Sequence, residues 1–218
     1  MIQLAPSMLS ADFLHLEKDV EFVNANADLF HLDIMDGSFV PNISYGFPVV
    51  EAISRKARKP LDAHLMIVHP EKYFARFASA GADMLSFHLE AAIADGSDPS
   101  SLAAAVKAEG MQAGIAVNPD MPLERLIPYL GDFDFVVLMS VFAGFGGQKF
   151  IPESIDRLKA LKKEILARKI DCRIEVDGGI GPSNASILAQ AGADILVAGS
   201  SVFKSSDPAA TASAIRSC

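Results

Sequence analysis

Cysteine is nearly absent: Cys172 and Cys218 are the only two in 218 residues. Two thiols cannot frame a disulfide-stapled fold, and a reducing cytoplasm is the natural setting for such a chain. Long apolar runs are missing too. No stretch approaches the ~20 residues of a membrane span, and Met1 leads into a strand-like segment without a signal-peptide pattern. Positive charge is in deficit, with 19 basic against 27 acidic side chains and a net charge of −8. That balance argues against nucleic acid and anionic membrane as partners, although backbone N–H groups can still bind a phosphate. No Gly-x-Gly-x-x-Gly follows the first apolar run, which disfavours a doubly wound dinucleotide fold. No linker, low-complexity tract or charge block divides the chain. Apolar residues, by contrast, make up 50% of it, which excludes disorder and suffices for one large core.

Short apolar runs alternate with amphipathic stretches from end to end. The runs are Ile2–Ser7, Leu29–Met35, Leu61–Ile67, Met84–Leu89, Gln112–Val117, Phe135–Val141, Arg173–Asp177 and Ile195–Ala198. Between them Phe13, Leu16, Val20 and Val23 recur at helical spacing. Ile155, Leu158, Leu161, Ile165 and Leu166 do the same between Pro152 and Lys169, with a charged opposite face. Strand, helix, strand, repeated without a gap, predicts right-handed βαβ units and a parallel sheet. Ala25-Asn26-Ala27-Asp28, Ala80-Gly81-Ala82-Asp83 and Ala191-Gly192-Ala193-Asp194 are three copies of one punctuation mark. Each puts a residue able to take the left-handed conformation at a helix end, just ahead of a strand. Their aspartates are 55 and 111 residues apart, near two and four units of one-eighth of the chain. Eight such units close into a single-domain α/β fold, a (β/α)8 TIM barrel with a parallel eight-stranded core over residues 1–218.

In that fold the chemistry sits at the C-terminal ends of the strands. His31, Asp33 and Met35 alternate onto one face of the second strand, His64 and Met66 share a face of the third, and Glu175 and Asp177 end the seventh. His31, Asp33, His64 and Asp177 thus converge at the top of the barrel. Two imidazoles and two carboxylates suit Zn²⁺, Mn²⁺, Fe²⁺ or Co²⁺. One buried histidine is more often a hydrogen-bonded core residue, but four such groups at matching strand ends reverse the preference. Asp62 and Glu175 share the facing of His64 and Asp177 one layer deeper, and read as core acids or as supports for the inner groups. His15 reads as solvated on a helix, His69 as loop, and His88 as either a support of the cluster or plain structure. Met35, Met66 and Met139 fit core packing and also an apolar collar around a reacting centre.

Glycine forms a second constellation. Gly144-Phe145-Gly146-Gly147 follows the sixth strand, Gly178-Gly179 the seventh and Gly199-Ser200 the eighth. Turns need glycine anyway. Three such turns at neighbouring strand ends can present N–H groups to one phosphate, with a short helix N-terminus adding its dipole.

Taken together these segments resemble the ribulose-phosphate 3-epimerase family over essentially the whole chain. The resemblance is carried by Ala5-Pro6-Ser7 with Leu9-Ser10-Ala11-Asp12, by His31 through Asn42 and by Leu61 through Ile67. It continues in Gly144 through Phe150, Val176 through Ile180 and Ala198-Gly199-Ser200. It implies a (β/α)8 barrel with one divalent metal ion per subunit (Zn, Fe, Mn or Co) held by His31, Asp33, His64 and Asp177. Asp33 and Asp177 would be the catalytic acid/base pair. Ser7, His64, Gly144, Phe145, Gly146, Gly147, Gly178, Gly179, Gly199 and Ser200 would bind a small sugar-phosphate substrate, and a homo-oligomer is expected. One segment departs from the family: Val141-Phe142-Ala143 stands where Val-Asn-Pro is usual. The change frees φ at position 143, removes an amide beside the glycine loop and adds bulk.

Inverting carbon 3 of a 2-ketose phosphate removes a proton next to the carbonyl and returns it on the opposite face. Two carboxylates flanking a planar intermediate meet that need, one ionised and one protonated at the start. A metal acts as a Lewis acid on the developing enediolate oxygens, and the distant phosphate grip supplies orientation. The expected activity is D-ribulose 5-phosphate to D-xylulose 5-phosphate, a pentose phosphate pathway step. A 3-epimerase of a ketohexose phosphate such as D-allulose 6-phosphate is the alternative that Phe142 keeps open. A sugar-acid-phosphate decarboxylase would be expected to place a lysine beside the metal-site acid, and strands two and three carry none. Intact His31, Asp33, His64 and Asp177 argue against a phosphate-binding barrel without catalysis.

Overall fold

The apolar runs become eight parallel strands in a computed structural model that describes residues 2–218; Met1 lies outside the described residues. They are β1 (Gln3–Pro6), β2 (Phe30–Met35), β3 (Leu61–Met66), β4 (Met84–His88), β5 (Gln112–Val117), β6 (Phe135–Met139), β7 (Arg173–Asp177) and β8 (Ile195–Ala198). The strand order is β1-β8-β7-β6-β5-β4-β3-β2, and one parallel bridge between Ser7 and His31 brings β1 back to β2. The result is a single-domain (β/α)8 barrel, each strand lying within two residues of its expected run. The helices are α1 (Leu16–Asn26), α2 (Phe47–Ser54), α3 (Phe74–Ser79), α4 (Leu89–Ala94), α5 (Pro99–Ala108), α6 (Leu123–Leu126), α7 (Ser154–Arg168), α8 (Ala185–Ala191), α9 (Ser200–Phe203) and α10 (Pro208–Arg216). Among the described residues no helix is long and apolar enough to cross a membrane.

Side-chain alternation sorts each strand into two faces. Phe30, Leu32 and Ile34 of β2, with Ala63 and Leu65 of β3, join the apolar layer between sheet and helices. The inward face splits by strand. Ala5, Ala116, Phe135, Val137, Met139, Ile195 and Val197 pack on one side of the interior. His31, Asp33, Asp62, His64, Ser86, His88 and Glu175 are buried on strands β2, β3, β4 and β7. Polar groups on β2, β3 and β4, met from across the ring by Glu175 of β7, depart from the branched aliphatic filling usual for this fold. Gly114 makes the remaining volume fit, because a Cβ there would lie 2.3 Å from the Phe135 ring.

The repeated punctuation has a structural meaning that reaches beyond helix ends. Asp28 N–H donates to Leu4 O at 3.0 Å while Leu4 N–H donates to Asp28 Oδ2 at 2.9 Å, a closed two-bond ring. Asp83 makes the same ring with Leu61, and Asp194 with Ile174. A fourth copy, Asp134 with Ala113, lacks the Ala-x-Ala prefix and escaped the sequence pattern. Each aspartate precedes an even-numbered strand and grips the odd-numbered strand before it. Two details differ from expectation. Gly81 and Gly192 are left-handed, but Asn26 stays helical and its side chain donates to Phe22 O, so α1 ends at Ala27 in an extended conformation. Phe13 and His15 stand ahead of α1, because the Asp12 carboxylate captures Leu14 N–H and the His15 ring and holds a turn there.

Candidate active site

Four ligand-type atoms meet at the top of the barrel: His31 Nε2, Asp33 Oδ1, His64 Nδ1 and Asp177 Oδ2 lie within 4.8 Å of one another. His31 Nε2 is 3.5 Å from Asp33 Oδ1 and 4.0 Å from Asp177 Oδ2, and His64 Nδ1 is 3.8 Å from both. These separations are too long for good hydrogen bonds. His31 Nε2 and His64 Nδ1 are buried and have no hydrogen-bond partner among the described residues. Buried ring nitrogens without partners are costly. A divalent cation bonded to both nitrogens and both carboxylates satisfies them, so the residues fit such an ion. The rest of each group is oriented by neighbours. His31 Nδ1 lies 2.6 Å from Asp62 Oδ2 and 3.0 Å from Glu175 Oε1, which gives those deeper acids the supporting place expected of them. Ser7 Oγ–H donates to Asp33 Oδ2 at 2.5 Å. His88 resolves as a support: its Nε2 is 3.0 Å from His64 Nε2.

Electrostatics divide the two carboxylates. Burial pushes Asp33 up, but His31, His64 and the Ser7 hydroxyl outweigh it and hold its carboxyl at about 2. Asp177 feels burial and the charge of Asp33, and both push it up to about 7. Glu175 is pushed up to about 8 by burial and by Asp62. Burial opposes charge on His31, yet Asp33 and Asp62 hold its pKa well above the ordinary range. Near neutral pH the site therefore pairs an ionised Asp33 with an Asp177 that readily holds a proton.

Above the cluster opens a cleft between the loops that follow the strands. Asp33 and Asp177 reach its floor, and Met35, Met66 and Met139 form the apolar collar. Ser7, Gly144, Phe145, Gly146, Gly147, Gly178, Gly179, Gly199 and Ser200 all line it. His64 is fully buried and is not among the residues that line the cleft. Ser10 and Gln148 line the cleft without having been singled out in the sequence. No Lys or Arg is among the described residues that line it. Gly179 needs to be glycine, with φ at +66° and the Phe150 backbone N 2.5 Å from where a Cβ would sit.

The glycine loop is braced by side chains from elsewhere. Asn42 Nδ2 donates to Gly144 O at 2.9 Å, and Gln148 Nε2 donates to Phe142 O and Phe145 O at 2.7 and 2.8 Å. Ala143 N–H donates to Asn118 Oδ1 at 3.0 Å. A proline at 143 has no N–H, so the looseness expected from its loss is countered by a bond that only its loss permits.

The profile of the Ribulose-phosphate 3 epimerase family matches residues 3–203. Ribulose-phosphate 3-epimerase of Bacillus subtilis is 43% identical over 218 residues, covering 99% of this chain and 99% of its own. The same enzyme of Mycobacterium tuberculosis is 43% identical over 213 residues, covering 98% of this chain and 91% of its own. Among solved structures, KGPDC from Streptococcus mutans aligns over 100% of this chain and 96% of that one with a TM-score of 0.73. Its sequence identity is 14%, so the likeness speaks for the fold alone.

Proposed function

Because the chain belongs to the ribulose-phosphate 3-epimerase family and is an enzyme of that kind, we propose that it interconverts D-ribulose 5-phosphate and D-xylulose 5-phosphate, with Asp33 and Asp177 as the two bases. The observation that carries this reading is the pair of carboxylates, Asp33 from β2 and Asp177 from β7, brought to one cleft floor from separated strands of the ring. Ionised Asp33 takes the proton from carbon 3. The C–H electron pair becomes the C2–C3 double bond, and the carbonyl electrons move to oxygen. Protonated Asp177 then gives its proton to the opposite face of carbon 3, and the carbonyl reforms. Each turnover leaves the two roles exchanged, ready for the reverse direction. Ser7 holds Asp33 through its 2.5 Å hydrogen bond, and the methionine collar keeps water from quenching the carbanionic carbon. His31, His64, Asp33 and Asp177 would hold a divalent cation, which when bound supplies Lewis acidity toward the developing oxyanion. The phosphate is gripped by backbone N–H groups of the Gly144–Gly147, Gly178–Gly179 and Gly199–Ser200 turns, which suits a cleft without Lys or Arg.

An activity panel of ribulose 5-phosphate, allulose 6-phosphate and unphosphorylated ribulose, run with the bound metal quantified, tests the reading. Turnover confined to the hexose phosphate overturns the substrate. Equal kcat/KM for ribulose and its 5-phosphate overturns the phosphate site, and full activity in a metal-free preparation overturns the cation.

A further inference from the structure

Behind His64 lies a line of polar groups that the reaction above does not use. His88 Nε2 is 3.0 Å from His64 Nε2, and Glu90 Oε2 is 3.3 Å from His88 Nδ1. Glu90 Oε1 accepts from Asn118 N–H at 2.8 Å, and Asn118 Oδ1 accepts from Ala143 N–H at the root of the glycine loop. Both histidines are fully buried. Their rings are nearly parallel, at 21°, with centroids 5.1 Å apart. That separation is close to the nitrogen–nitrogen distance plus two ring radii. The rings therefore meet edge to edge, as an N–H···N bond requires, and not face to face.

Such a bond carries one proton, and the chain of partners decides where it sits. An ionised carboxylate only accepts, so His88 presents its proton to Glu90 on Nδ1. Neutral His88 then offers a lone pair at Nε2, which His64 must fill with Nε2–H. His64 is left with its lone pair on Nδ1, the atom 3.8 Å from both Asp33 and Asp177 that has no hydrogen-bond partner among the described residues. We propose that Glu90 fixes His64, through His88, in the tautomer whose Nδ1 can bind a cation, and through Asn118 seats the loop that grips the phosphate. Glu90 is thus a positioning residue with two arms, one toward each half of the site. The first arm rests on the proposed reading of His64 as a cation ligand.

Zinc-loaded protein labelled with ¹⁵N-histidine tests the relay directly. Two-bond nitrogen–proton correlations should show His88 neutral with its proton on Nδ1, and His64 protonated on Nε2. A His88 protonated on Nε2, or on both nitrogens, overturns the relay whatever the variants do. In Glu90→Gln an amide N–H must face one of the two partners. Its zinc Kd should rise ~10–100-fold, the usual effect of removing an outer support from a ligand, and kcat should fall with it. Glu90→Asp, which keeps the carboxylate, should recover most of that affinity. Asn118→Ala should keep wild-type zinc affinity and raise KM ~5-fold, the worth of about one neutral hydrogen bond, and Asn118→Asp should restore KM. Wild-type zinc affinity in Glu90→Gln overturns the first arm; unchanged KM in Asn118→Ala overturns the second. A wild-type protein that binds no zinc or other divalent metal refutes the cation reading itself, a distinct result.

Discussion

Bulk added at Gly146 should cost substrate binding and leave folding alone, whereas bulk at Gly179 should cost both. A Cβ at Gly146 meets only Leu9 Cδ2 at 3.7 Å and Ser10 Oγ at 3.9 Å, ordinary contacts. The larger side chain of Gly146→Val enters the cleft beside Ser10, where the phosphate is proposed to lie. If the displaced anion loses one charge-assisted bond to a backbone N–H, ~1.5–3 kcal/mol, KM rises ~10–150-fold. At Gly179 the backbone is left-handed, and a Cβ would stand 2.5 Å from Phe150 N and 2.8 Å from Phe150 Cα. Left-handed φ costs an L-residue ~1–2 kcal/mol, and the collision adds to it, because Phe150 cannot retreat without moving Gln148 and the loop it braces. At ~2–4 °C per kcal/mol for a chain of this size, the strain alone lowers the Tm of Gly179→Ala by ~2–8 °C. Thermal melts and a coupled assay for D-xylulose 5-phosphate over a range of substrate concentrations separate the two effects. The reasoning fails if Gly146→Val keeps wild-type KM, or if it melts as low as Gly179→Ala.

Asp33→Asn and Asp177→Asn should each slow epimerisation by at least ~10²-fold, and in D₂O each should wash deuterium into carbon 3 from one epimer only. A variant that epimerises at the wild-type rate has not lost a base. A divalent cation must displace protons from Asp177, pushed up to about 7 by burial and Asp33, and from His31, held well above its ordinary range. Raised pKa values favour the protonated, metal-free form at low pH, so cation affinity should climb as pH rises through about 7; a flat Kd across that window refutes it. Burial, with Asp134 and Asp194 nearby, pushes the Cys172 thiol up to about 12, while Cys218 is exposed. One thiol per native chain should therefore react with a disulfide-exchange dye at about pH 8, and two after denaturation; two fast thiols in the native protein would contradict the burial.

Facing and order were readable because they rest on short-range rules. Alternation along β2 and β3 puts His31, Asp33 and His64 on the inner face, and no tertiary information is needed to see it. The glycine turns are equally local. What escaped depends on partners far along the chain. Nothing near Glu90 in sequence tells that its carboxylate will meet Asn118, 28 residues on, and Asn42 reaches Gly144 across 102 residues. Polar residues in loops and at helix starts are common for ordinary reasons of capping, so no pattern separates these from the rest. Asn26 failed for the opposite reason: its residue type permits a left-handed helix end, but a side-chain bond to Phe22 O keeps it helical. His64 has the facing expected of it, but its full burial could not be read from the strand, because depth in a barrel is set by the closed ring.

The four aspartate rings of the lower rim tie the strands in twos: first with second, third with fourth, fifth with sixth, seventh with eighth. The groups at the upper rim obey no such pairing. His31 and Asp33 come from the first couple, His64 from the second, Asp177 from the fourth, while the glycine turns follow the sixth, seventh and eighth strands. A quarter of the barrel can hold its own two strands in step, but it owns neither all four groups proposed to hold the cation nor all the turns proposed to grip the phosphate. On the proposed mechanism competence therefore arrives only at ring closure, because a partly assembled chain, however well its pairs are locked, holds Asp33 without Asp177 opposite it.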